Sequence, residues 1–169
     1  PGVFSPRPPD DNRSRKIVPL KLNLSGELID THTIERSIGE QVDLTGADVL
    51  VAGGRGVDGD FEMLEKLAEL LGGEIGATRP PVDEGHIERE RQIGQTGVVA
   101  SPKVAICCGI SGAFHFVVGI EKADLVVAIN SDPEAPIFDY ADYCIVGDVH
   151  ELVPALITAL SREREVVLG

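Results

Sequence analysis

Short apolar runs alternate with longer amphipathic stretches along most of this chain, from Ala47 onward. The runs are rich in β-branched residues, as buried parallel strands are. Strands that alternate with helices build an open sheet with helices on both faces. The pattern therefore predicts an α/β protein with an open, mostly parallel, Rossmann-like sheet, whose strands fall at 48–52, 73–79, 103–109, 125–130 and 142–148.

Three of the intervening stretches have helical spacing of their apolar residues. The first, 60–72, opens at a capping aspartate and ends at paired glycines, and the second covers 111–122. The last opens at Asp148, which with Glu151 has the spacing of a capping box. Residues 78–97, between the second and third strands, are predicted to form a long polar loop.

The amino-terminal part of the chain does not share this alternation. Residues 1–15 are rich in proline and charge and are predicted to be an extended segment. Residues 16–24 alternate apolar and polar positions around Pro19, which favours an edge strand. Since this strand has no obvious partner, we expect the chain to begin partway through a longer protein.

Composition narrows the class of protein. A chain of 169 residues with 43% hydrophobic residues is globular and long enough to bury a core. Its net charge of −13 argues against nucleic acid and against an anionic membrane surface as partners. The three cysteines have no metal-ligand spacing and are odd in number, so we expect a reduced, intracellular protein without a metal site.

The stretch CCGISGAFHF, residues 107–116, concentrates the candidate chemistry. Cys107 and Cys108 are neighbours on a strand, so their side chains point to opposite faces and are expected to be packing residues. Ser111 lacks the spacing of a nucleophile elbow, and His115 has no partner at a metal-ligand spacing. A strand, a glycine turn, a hydroxyl and a helix start instead predict a cradle for a phosphate.

A second candidate cradle follows the first strand. Residues 54–59, GRGVDG, match the G-x-G-x-x-G fingerprint of dinucleotide-binding loops. The acidic residue that meets the ribose is missing, and Arg79 at the end of the second strand suits a 2′-phosphate. An NADP-linked oxidoreductase domain is therefore the alternative reading of this loop.

The segments at the strand ends, taken together and in order, resemble one family. They are similar to the carboxyl-terminal FAD-binding domain of the α subunit of electron-transferring flavoproteins. The resemblance covers roughly residue 44 to the end, and the matching segments are GGRG (53–56), TRPPVDEG (78–85), QIGQTG (92–97), GISGA (109–113), AINSDPEAPIFDYADYCIVGD (128–148) and the final VPALI.

The resemblance also implies a division of the chain. Residues 44–169 would form the FAD-binding domain, with the Rossmann-like topology that this family shares with deoxyhypusine synthase. Residues 1–43 would be the last strands of an amino-terminal domain and a linker, and the rest of that domain would be absent from this sequence.

Roles for individual residues follow from the resemblance. It implies that Arg55 contacts the FAD diphosphate, that Arg79 lies against the isoalloxazine ring, and that the Thr96 hydroxyl donates to flavin N5. Segment 111–116 would approach the diphosphate and ribityl chain. The full set of implied cofactor-binding residues is Arg55, Thr78, Arg79, Ile93, Gly94, Gln95, Thr96, Ser111, Gly112, Ala113, Phe114, His115, Phe116, Asn130, Asp148 and Val149, of which Asn130 and Asp148 would hold the adenosine end.

One position departs from the family pattern. Where the family commonly has Gln-His, this chain has His115-Phe116, and phenylalanine cannot donate to the flavin C2 carbonyl as that histidine does. We expect His115 to face elsewhere, being one helical step away. The departure bears on the redox poise of the flavin and leaves FAD binding to the other strand ends.

The function implied by the resemblance is that of an electron carrier rather than an enzyme with its own substrate. The chain would bind FAD and pass single electrons from acyl-CoA or related dehydrogenases to a membrane quinone oxidoreductase or another acceptor. It would act in an αβ heterodimer with a β subunit, without inserting into a membrane. The expected location is the cytoplasm of a prokaryote or the mitochondrial matrix of a eukaryote.

Overall fold

The computed structural model describes Val18, Pro19 and residues 43–168, with side chains up to residue 164. All helices and strands given below belong to the compact unit Gln41–Gly169. The predictions for an extended segment over 1–15 and an edge strand over 16–24 lie outside the described residues, except for Val18 and Pro19. The division of the chain at residues 43 and 44 stays a prediction.

A five-stranded parallel sheet forms the centre of this unit, in the order β2-β1-β3-β4-β5. This confirms the predicted open parallel sheet. The inner strands are short apolar runs because both of their faces are covered, whereas the residues of the edge strand Tyr143–Val146 are exposed. The order reverses direction between β1 and β3, which is where open α/β sheets bind ligands. The strands are β1 Val49–Gly53, β2 Glu74–Ala77, β3 Val104–Cys108, β4 Leu125–Asn130 and β5 Tyr143–Val146.

Two helices cover one face of the sheet. Helix α1, Phe61–Leu71, begins as predicted at Asp60, whose carboxylate accepts the Met63 backbone N–H at 3.3 Å, and ends at Gly72 with φ of 66°. Helix α4, Val149–Leu168, packs beside α1 on the same face. The Asp148 carboxylate accepts the His150 backbone N–H at 2.8 Å, so it caps α4 one position earlier than a capping box requires.

The other face is covered by short helices and irregular chain. The prediction of one helix over 111–122 is wrong, because helix α3 spans only Phe114–Val117. The chain turns after it, as the Gly119 N–H bonds to the Phe116 carbonyl at 2.7 Å. A Cβ at Gly119 would lie 2.5 Å from the Gly94 nitrogen, so the glycine allows a close approach between two loops.

The polar loop 78–97 contains two short helices that the sequence pattern did not predict. Helix α2, Arg79–Asp83, begins directly after β2, with Thr78 at its N-cap and prolines in its first turn. A 3-10 helix, Arg89–Arg91, follows. The Arg91 guanidinium donates to the Ile75 carbonyl at 3.0 Å and lies 3.4 Å from Glu74, and these contacts tie the segment to β2.

The two adjacent cysteines lie on opposite faces of β3, as predicted. Cys107 packs in the core layer under α3, and Cys108 packs in the layer under α1 and α4. Both are free thiols that are at most 1% exposed. Burial raises the pKa of the Cys108 thiol to about 12 and also raises the pKa of Cys107, so both thiols are neutral packing groups.

Both thiols are expected to make the fold sensitive to alkaline pH. Their pKa values are higher in the folded than in the unfolded chain, so the stabilisation is complete below the ordinary value of 9.0 and is lost as pH rises towards about 12. Replacing both by alanine should cost about 1 kcal/mol each at pH 7. Above pH 9 the wild type should lose stability more steeply than this variant in urea titrations. Cys144→Ala, at an exposed position, is the matched control, and parallel pH curves for all variants would contradict the prediction.

Candidate functional site

The loops after β1 and β3 are packed directly against each other. The Gly54 N–H donates to the Cys108 carbonyl at 2.9 Å, and the Gly56 N–H donates to the Gly109 carbonyl at 3.0 Å. A Cβ at Gly54 would lie 2.3 Å from the Gly109 oxygen, and one at Gly56 would lie 2.9 Å from the Gly109 Cα. Glycine is therefore required here by backbone-to-backbone contact, and the contact joins the two predicted cradles into one structure.

A cleft of about 640 Å³ opens beside these loops, at the carboxyl ends of the strands. Its size is that of a site for a ligand of cofactor dimensions. It brings together most of the residues that the sequence singled out, namely Arg55, Thr78, Arg79, Ile93, Gly94, Thr96, Ser111, Ala113, His115, Phe116 and Asn130.

The segment from Gln92 to Val98 forms one wall of the cleft. The Gly94 N–H donates to the Val98 carbonyl at 3.0 Å, and the Val98 N–H donates to the Gln92 carbonyl at 2.7 Å. The Gln95 N–H donates to the His115 carbonyl at 2.8 Å, so this wall is attached to α3. Gly94 has φ of 130°, and a Cβ there would lie 2.4 Å from the His115 oxygen. These backbone contacts therefore hold the backbone of the wall in place.

The side chains that line the cleft make it electropositive. Arg55 and Arg79 line it, and among the described lining residues there is no carboxylate. This contrasts with the net charge of −13 for the chain. Arg79 pairs with Asp83 at 3.0 Å, and the Arg79 side chain is 68% exposed, so solvent screens the pair strongly. A cleft with cationic side chains is suited to an anionic ligand.

Two polar side chains of the cleft hold its geometry. The Asn130 amide donates to the Ile110 carbonyl at 2.8 Å and accepts the Asp132 N–H at 3.0 Å, so it fixes the loop after β3 from the end of β4. The buried Gln92 amide donates to the Thr96 hydroxyl at 2.9 Å. Thr78 is also buried, with 8% exposure, and its side chain faces the cleft from the end of β2.

His115 and Phe116 both line the cleft. The expectation that His115 faces elsewhere is wrong, because the residue is part of the cleft lining. His115 is exposed there, whereas Phe116 is 4% exposed and packs into the core layer beneath. The cleft lining therefore includes a histidine, His115, one position before Phe116.

Several predicted site residues lie outside the lining of the cleft. The Val149 side chain is 4% exposed in the core, Asp148 caps α4, and the Phe114 side chain is 65% exposed. Gln95 is exposed and contributes its backbone to the wall. Gly112, with φ of 93°, packs against backbone, since a Cβ there would lie 2.2 Å from the Ile137 nitrogen.

The sequence reading missed five lining residues, namely Gly56, Pro80, Gln92, Gly109 and Ile110. All five stand inside the quoted motifs, so a reading of whole loops rather than of single side chains would have included them. Gln92 ends a run of charged residues, and nothing in its neighbours signals that it is buried.

No group of three or more histidine, cysteine, aspartate or glutamate side chains among the described residues is placed to hold a metal ion. Within the same part of the chain, no helix combines the length and the apolar composition that a membrane crossing demands.

An open parallel sheet with an electropositive cleft at its switch point defines a nucleotide-binding α/β domain of the Rossmann-like class. Comparison with known proteins gives the family. Residues 43–121 match the family described as the electron transfer flavoprotein FAD-binding domain.

Similarity to whole proteins extends over nearly all of the chain. It is 40% identical over 166 residues to the electron transfer flavoprotein subunit alpha of Thermoanaerobacterium thermosaccharolyticum, covering 96% of this chain and 50% of that protein. It is 43% identical to the subunit alpha of Clostridium acetobutylicum, covering 93% and 48%. The mitochondrial subunit alpha of Arabidopsis thaliana is 38% identical, with 91% and 45% covered. The chain thus spans about half the length of these relatives, and the resemblance to the α subunit is confirmed.

Proposed function

We propose that this chain is an FAD-binding electron carrier domain, which passes single electrons between a flavin dehydrogenase and a downstream acceptor. The observation that carries the proposal is the electropositive cleft at the switch point of the sheet, formed by the segments that define the family match. When bound, FAD supplies the one-electron chemistry. The protein supplies binding, orientation and charge.

The cleft offers complementary groups to the parts of such a ligand. The adjoining loops after β1 and β3 would hold the diphosphate, since Arg55 supplies a cation and Ser111 a hydroxyl at the cleft lining. Arg79 and Thr96, which both line the cleft, would meet the flavin ring, and Asn130 would hold the loop on the adenosine side. The apolar part of the lining, including Ile93, suits the flat ring.

The partners belong to the proposal as well. The relatives are named as subunits of electron transfer flavoproteins, which supports a role as the α partner of a β subunit. We propose acyl-CoA or related dehydrogenases as donors and a membrane quinone oxidoreductase or another acceptor as the recipient. The domain itself would convert no substrate. Its location would be the cytoplasm of a prokaryote or the mitochondrial matrix of a eukaryote.

The glycines of the GRGVDG loop argue against the NADP alternative. Each of the three is accounted for by a protein contact, because Gly54 and Gly56 pack on Gly109 and a Cβ at Gly59 would lie 2.8 Å from the His86 ring. In dinucleotide-binding loops the pyrophosphate occupies the N-terminus of the following helix. Here the Asp60 carboxylate already accepts an N–H of α1.

We expect the purified protein to bind FAD and to show no NADP⁺ binding in the same concentration range. Flavin released on denaturation should be FAD, and calorimetric titration of stripped protein should show one FAD site. Arg55→Ala should weaken that binding about tenfold, since a charge-assisted contact to a phosphate is lost. Arg162→Ala, at an exposed position on α4, is the matched control. Binding of NADP⁺ without FAD would overturn the proposal.

A further inference from the structure

The Gln92 side chain is an unusual component of the cleft wall. It is one of the few buried polar side chains of the described core, with 4% exposure. It lines the cleft, and its amide nitrogen, Nε2, donates to Thr96 Oγ1 at 2.9 Å. Thr96 itself is exposed at the cleft surface. A buried amide therefore holds an exposed hydroxyl at the place where a ligand would meet it.

The polarity of this hydrogen bond decides what Thr96 offers to a ligand. A threonine hydroxyl has one proton to donate and two lone pairs that accept. The Gln92 amide nitrogen is a donor only, so the hydroxyl must act as acceptor towards it. The hydroxyl proton then cannot point at Gln92, and it is available to an acceptor atom in the cleft.

Backbone contacts around Gln92 and Thr96 restrict the positions of these two side chains. The Gln92 carbonyl accepts the Val98 N–H at 2.7 Å, and a Cβ at Gly97 would lie 2.2 Å from the same carbonyl oxygen. The turn between Gln92 and Val98 is thus closed tightly on the residue that carries the amide. A hydroxyl fixed in this way costs less entropy when it binds than one that rotates freely.

We infer that Gln92 is a positioning residue, which orients the Thr96 hydroxyl as a hydrogen-bond donor towards an acceptor atom of the flavin ring. The inference rests on the proposed function. Ring nitrogens and carbonyl oxygens of a flavin are acceptors, and one-electron reduction makes them stronger ones because it adds negative charge. A donor held in place therefore favours the reduced ring more than the oxidised ring.

A double-mutant cycle tests the inference in the purified protein loaded with FAD. Gln92→Met removes the amide at nearly constant volume, Thr96→Val removes the hydroxyl, and both are combined. We expect Gln92→Met to weaken FAD binding about fivefold, the scale of one ordinary hydrogen bond. The equilibrium constant for adding the first electron should fall by a similar factor. In the Thr96→Val background the same substitution should change both quantities by less than about twofold.

Two further variants keep the test decisive. Gln92→Asn keeps a buried amide that is one methylene too short to reach Thr96. It should therefore show the losses expected for Gln92→Met, and it takes the place of that variant if Gln92→Met does not fold. Thr96→Ser keeps the hydroxyl and should keep the dependence on Gln92. Without ligand, the side-chain amide signals of Gln92 in NMR spectra should shift on Thr96→Val.

The outcomes separate the inference from the proposed function. Wild-type protein that binds no FAD overturns the proposed function and the inference with it. Wild-type binding with independent effects of Gln92 and Thr96 overturns the inference alone, because Gln92 would then act only through packing. Unchanged binding and reduction in Gln92→Met and Gln92→Asn would overturn it as well.

Discussion

Gly54→Ala is expected to destabilise the chain by about 3 kcal/mol and to abolish FAD binding. The added Cβ would lie 2.3 Å from the Gly109 oxygen and 2.8 Å from the Ile110 Cα, both of them backbone atoms that no rotamer change can move. The loops after β1 and β3 must therefore separate, and the hydrogen bond between Gly54 and Cys108 would be lost. Urea unfolding and FAD fluorescence titration give the two quantities.

Gly72→Ala provides the matched control for this prediction. Gly72 ends α1 with φ of 66° and has open space around its Cβ position, so alanine there should cost about 1 kcal/mol through backbone strain alone. FAD binding should be unaffected, because Gly72 is not in the cleft lining. If Gly54→Ala lost no more than Gly72→Ala in either measurement, the contact between the loops would not shape the site.

Arg79→Ala is expected to lower the first reduction potential of bound FAD by about 100 mV. Two unit charges about 4 Å apart interact by roughly 4 kcal/mol at an effective dielectric of about 20. The Arg79 side chain is 68% exposed, so water reduces this value. A loss of about 2.3 kcal/mol corresponds to about 100 mV for one electron. FAD affinity should fall only modestly, because Arg55 and Ser111 still hold the diphosphate.

Spectroelectrochemical titration of the FAD-loaded protein measures this potential. Arg79→Lys should recover part of it, since the charge remains while the planar guanidinium is lost. Arg89→Ala removes a positive charge from the same part of the chain at an exposed position outside the cleft lining, and it should leave the potential within about 15 mV of wild type because solvent screens it. A potential that Arg79→Ala leaves unchanged would show Arg79 to be an ordinary surface charge.

Strands β1, β3 and β4 could be predicted from the sequence because burial on both faces makes a parallel strand largely apolar. Residues 125–130 form β4 as predicted, and β1 and β3 agree with their predictions within one residue at each end. Helix α1 could be predicted because its N-cap and its closing glycine are local signals in the sequence. These features depend on residues that are neighbours in the chain.

The short extent of helix α3 could not be predicted because the apolar spacing over residues 111–122 has another cause than a long helix. Phe116, Val117 and Ile120 all pack in the core, but they do so from one helical turn and the bend after it. The bend depends on Gly119 passing close to Gly94, and a pattern of apolar positions does not contain that contact. Distant backbone approaches of this kind decide where a helix ends.

The candidate site could be predicted in its location but not in its supporting groups. Its location follows from the strand ends, because the carboxyl ends of parallel strands meet at one edge, and the family resemblance supplied the roles of Arg55 and Thr96. Gln92 escaped prediction because its burial is set by the turn that closes over it. Gly112 was interpreted as a ligand contact, whereas the structure gives it a packing reason, the approach to Ile137.

We propose that FAD lies in the cleft beside the loops after β1 and β3. Amide chemical-shift mapping of isotope-labelled protein during FAD titration tests it most directly. We predict that the largest shifts fall on Gly56, Gly94 and Ser111 and their neighbours, with small shifts on the outer faces of α1 and α4. Largest shifts at the start of α1, on Phe61 and Glu62, would place the ligand at the N-terminus of that helix instead and contradict the claim.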